Sequence, residues 1–118
     1  MMRRAAENFG DILLVYCLKS TEAPSQMLLQ EEMDKAGNPH SIVPLYLGQH
    51  WDLFAEGRPH AFARALATDI RAALTQQSGI RSVVLAQASM AGAAMLLSDL
   101  PALVLASPVL ALKEGLSR

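Results

Sequence analysis

The stretch VVLAQASMAGAA, residues 83–94, decides the fold. Its first half is a short apolar run, the pattern of a strand buried on both faces of a sheet. Its second half is small and helix-compatible, with Gln87, Ala88 and Ser89 at the junction. A buried strand that runs directly into a helix is half of a βαβ unit, and such units make parallel sheets. In open α/β folds, ligands bind outside the carboxyl ends of the strands. The junction Gln87–Ser89 is therefore either part of a binding rim or only a turn.

Working outward, this apolar run is one of four of strand length along the chain. DILLVYC, residues 11–17, is the first. SIVPLYL, residues 41–47, is the second, and Pro44 consigns it to a sheet edge because proline cannot donate to a ladder. SVVLA, residues 82–86, is the third, and ALVLA, residues 102–106, the fourth. Helices are expected between them. Residues 1–9 read as a short helix stopped by Gly10. Ser20 and Thr21 offer N-cap oxygens, Pro24 falls in a first turn, and Leu29, Met33 and Ala36 share a face that ends at Gly37–Asn38–Pro39. Phe62, Leu66, Ile70 and Leu74 repeat every four residues, with Arg64 and Arg71 pointing away, until Ser78–Gly79. Trp51–Phe54 suggests one helical turn and a packed aromatic cluster in the connection 48–59. Ser89 to Leu97 is a small-residue helix, and Ser107–Pro108 opens a last one. The expectation is one α/β domain over 1–118: three layers, a four-stranded mostly parallel sheet, and helices on both faces.

The composition excludes several classes. A 118-residue chain that is 52% hydrophobic can bury a real core. Ten basic and eleven acidic residues give a net charge of -1, with no basic cluster to hold nucleic acid. The single cysteine, Cys17, cannot form an internal disulfide or a cysteine-rich metal site, and a cytoplasmic location is the simplest reading. Gly92 to Leu112 has the length of a membrane span, but Asp99, Pro101 and Pro108 interrupt it. No membrane association is expected. His40, His50 and His60 match no metal-ligand spacing and read as solvated, so no metal is expected.

Polar groups cluster at the strand exits: Cys17 to Thr21, Gln87 to Ser89, and Ser107. In a parallel sheet these ends share one edge. Ser20, Thr21 and Ser89 also sit where helix starts present unpaired N–H groups, which suits a carboxylate or other small anion. The same hydroxyls equally suit simple capping, and both readings stay open. Cys17 is either an inert buried thiol or a proton-transferring one activated at a helix start. No Lys or Arg lies in 87–91, and Lys19 is the one near the first rim, so dicarboxylate binding should be weak.

The segments GDILLVYCLKSTEAPSQMLLQEEM and SVVLAQASMAGAAMLLSDLPALVLASPVLALKEGL together resemble the carboxyl-terminal lobe of the aspartate/glutamate/hydantoin racemase family. That resemblance implies a cofactor-independent isomerase scaffold acting on an amino acid or related small carboxylate, with the site in a cleft between two α/β lobes. In the family a thiol on each lobe exchanges the α-proton. Ser20 and Thr21 match its hydroxyl-rich turn, Cys17 falls at a position that looks like a threonine, and Ala88 and Ser89 match a Thr-x pair. Ser107 with Pro108 matches the last strand exit. Gln87 stands where the second catalytic cysteine is expected, and glutamine cannot exchange a proton near neutral pH. The chain corresponds to one lobe, so the resemblance implies an incomplete site with substrate-binding residues and no resident catalyst.

Two rivals stand beside this reading. One is a non-catalytic small-anion-binding module or a subunit completed by a partner chain. The other is a thiol enzyme using Cys17. A lobe of this kind also exposes an apolar face, expected at Met90, Met95 and Leu96, and a homodimer or a partner lobe would cover it.

Overall fold

A computed structural model of the chain describes residues 2–77, 79–86, 90–100 and 102–106. Four strands, β1 (Asp11–Tyr16), β2 (Ile42–Tyr46), β3 (Ile80–Leu85) and β4 (Leu103–Ala106), form one sheet in the order β2-β1-β3-β4. Every pairing is parallel. Among the described residues five helices accompany them: α1 (Met2–Glu7), α2 (Lys19–Ala36), α3 (Trp51–Ala55), α4 (Pro59–Gln76) and α5 (Ala91–Leu96). A single 3-10 turn, Gly48–His50, precedes α3.

Side-chain alternation along the strands divides the core into two layers. Leu13, Val15, Val83 and Leu85 pack with Phe62, Leu66 and Ile70 of α4 and with Met90, Ala93 and Leu97. Ile12, Leu14, Val84 and Leu105 pack with Ala5 and Ala6 of α1 and Leu29 and Met33 of α2. The chain goes from β1 to β2 through α2 on one face, then back past β1 to β3 through α4 on the other. Because it changes face as it reverses direction, its crossovers share one hand. The three-layer α/β expectation holds, with an all-parallel sheet.

The edge position of β2 follows from Pro44 as expected. The Leu47 N–H bonds inward to the Tyr16 carbonyl at 2.8 Å. The two-residue period of a strand then turns the missing N–H of Pro44 outward, where no ladder bond is lost. Helix α2 ends as read: Gly37 adopts φ 73°, the Gly37 N–H reaches the Asp34 carbonyl, and the Asn38 N–H reaches that of Met33. This is a Schellman close, which favours glycine at the left-handed position. The buried Asn38 amide then donates to the Ala6 carbonyl at 3.0 Å, tying α1 to α2. Asn8 ties α1 to β3 through the Arg81 carbonyl and the buried Ser82 hydroxyl, both at 3.0 Å.

Four local expectations need correction. Ser20 and Thr21 do not cap α2: the cap is Leu18, extended and without a side-chain capping bond, and both hydroxyl residues lie inside the first turn. That earlier start puts Pro24 in the second turn, where its missing N–H removes the bond to the Ser20 carbonyl. Arg71 points away from the apolar face and is half-exposed, but it is not simply solvated. Its guanidinium reaches the Leu96 carbonyl at 2.8 Å and Asp99 at 2.6 Å, closing the end of α5. Met90 is fully buried against α4, whereas Met95 and Leu96 are exposed as expected.

Candidate functional site

The chain turns toward β2 after β1 and toward β4 after β3, while β1 and β3 lie side by side. That is the topological switch of an open α/β sheet, where the connections diverge and leave a crevice at the carboxyl edge. The Ala86 N–H donates to the Val15 carbonyl at 3.0 Å, so the β3 exit is held against the β1 exit. On the other side, the Leu47 N–H holds the β2 exit against Tyr16. The β1 and β3 exits, at Tyr16 and Ala86, are therefore neighbours.

At the β1 exit stand Cys17, Leu18, Lys19, Ser20 and Thr21. Ser20 is exposed and Thr21 half-buried, and neither hydroxyl has a side-chain hydrogen bond among the described residues. The start of the 18-residue α2 lies beside them, where the Thr21 N–H already donates to the Leu18 carbonyl at 2.9 Å. Gln87, Ala88, Ser89 and Ser107 lie outside the described residues; Ala86 and Ala106 are the last described residues before them.

Cys17 is 2% exposed. Burial raises its thiol to about 11, because a thiolate there would lose its hydration. Of the two readings of Cys17, the buried thiol fits. A proton-transferring thiol needs a lowered value, and this environment moves it the other way.

The structure also brings together residues that the sequence reading did not single out. The register pairs Tyr16 with Tyr46, and their rings lie 5.4 Å apart at a 46° tilt. Burial raises the pKa of the Tyr16 hydroxyl, and the Glu22 carboxylate adds to the shift. Lys19 Nζ sits 5.4 Å from the Tyr46 ring centroid. Tyr46 is read in the sequence only as strand, since partners on different strands become visible with the register. His50 departs from its solvated reading: its Nε2 is 2.6 Å from Asp69 Oδ2 of α4, and the ring is three-quarters covered. Nearby, Trp51 and Phe54 pack together as expected, and Phe62 of α4 joins them, with centroids 5.3–6.0 Å apart. His40 stands 3.7 Å from Asp11, and His60 is exposed.

Among the described residues no group of three potential ligands could hold a metal ion, and no helix is long and apolar enough to cross a membrane. No family model, curated protein or solved structure matches the chain.

Proposed function

We propose that the chain is a small-carboxylate-binding α/β lobe of racemase type, its site being the carboxyl-edge rim between the exits of β1 and β3. The observation that carries this reading is the reversal of strand order at that pair of strands. It sets the uncapped start of α2, with the hydroxyls of Ser20 and Thr21, beside the exit that leads to Gln87. The residue-by-residue resemblance noted in the sequence supports the carboxylate as ligand and an isomerase scaffold that needs no cofactor.

The lobe binds and does not catalyse alone. Inverting an α-carbon requires an acid–base group on each side of it. This chain has one thiol, held protonated by burial, and glutamine at the position of the other. Catalysis would come from a partner lobe, either a second copy or another polypeptide, and the exposed Met95 and Leu96 of α5 are the apolar surface such a partner would cover. A cytoplasmic site of action belongs to the same proposal.

Incubation with aspartate, glutamate and a hydantoin in deuterium oxide tests this directly. The expected result is weak binding, on the order of millimolar from exposed helix-start interactions, with no deuterium at the α-carbon. Failure to bind any of these ligands would overturn the reading. Exchange that disappears in Cys17→Ala would move catalysis onto Cys17.

A further inference from the structure

We draw no further inference here: the strongest candidate, the His50–Asp69 pair that ties the connection after β2 to helix α4, belongs to no cluster of three potential ligands among the described residues, and nothing in the structure shows a ligand or substrate that it would meet.

Discussion

Cys17 shows how one side chain's surroundings set its chemistry. It belongs, with Val15, Leu85 and Met90, to the apolar layer between the sheet and α4, so the neutral thiol is the favoured form. The folded value of about 11 lies above the ordinary 9.0. Between those two pH values the unfolded chain releases the proton and the folded chain keeps it. Stability from this group is therefore complete below pH 9 and is lost as pH rises toward 11. The loss amounts to roughly 2–3 kcal/mol at most. Urea unfolding at pH 8, 9 and 10.5 should show this slope in the wild type and a shallower one in Cys17→Ala. Comparing slopes excludes the cavity cost of the substitution, which is common to every pH.

At the scale of elements, Pro44 decides the fate of β2. The strand lies at a sheet edge and Pro44 itself is exposed. An edge strand presents unpaired N–H and carbonyl groups that can template association with another chain, and a proline with its nitrogen outward interrupts that row. Pro44→Val restores the donor and adds a β-branched side chain. The variant should stay folded and self-associate with rising concentration, measured by light scattering against the wild type. Equal scattering from both would show that the β2 edge is covered by other means. Helix α5 is held differently, by the Arg71 guanidinium on the Leu96 carbonyl and on Asp99.

Across the whole molecule, Phe62 joins the α4 layer to the connection that follows β2. It is fully buried, it meets Trp51 edge-on at 6.0 Å, and Phe54 lies 5.4 Å from it. Phe62→Ala should cost about 3–5 kcal/mol, the usual range for emptying an aromatic site in a packed core. It should also shift Trp51 fluorescence toward the red as water reaches the indole. A loss below about 1 kcal/mol would show that α3 collapses into the space. The partner lobe proposed for catalysis acts at this scale too, since it would add surface at Met95 and Leu96 without changing either core layer.

The sequence by itself determined the elements and their kind. Apolar runs of strand length, the four-residue repeat from Phe62 to Leu74, the Gly37 close and the outward Pro44 are local or periodic signals, and each corresponds to an element or boundary in the fold. The α/β class follows from their alternation. What only the tertiary structure decided depends on pairs far apart in the chain. The start of α2 at Lys19 moved Ser20 and Thr21 from capping positions into an open first turn, because Leu18 took the extended cap beside the β1 exit. Lys19 lies over Tyr46, beside Tyr16, because the parallel register of β1 and β2 sets those rings side by side. His50 meets Asp69 and Arg71 meets Asp99 across helices that no local pattern relates. Periodicity fixes which face a residue occupies; which charges meet depends on the distances between elements, and those distances are set by packing.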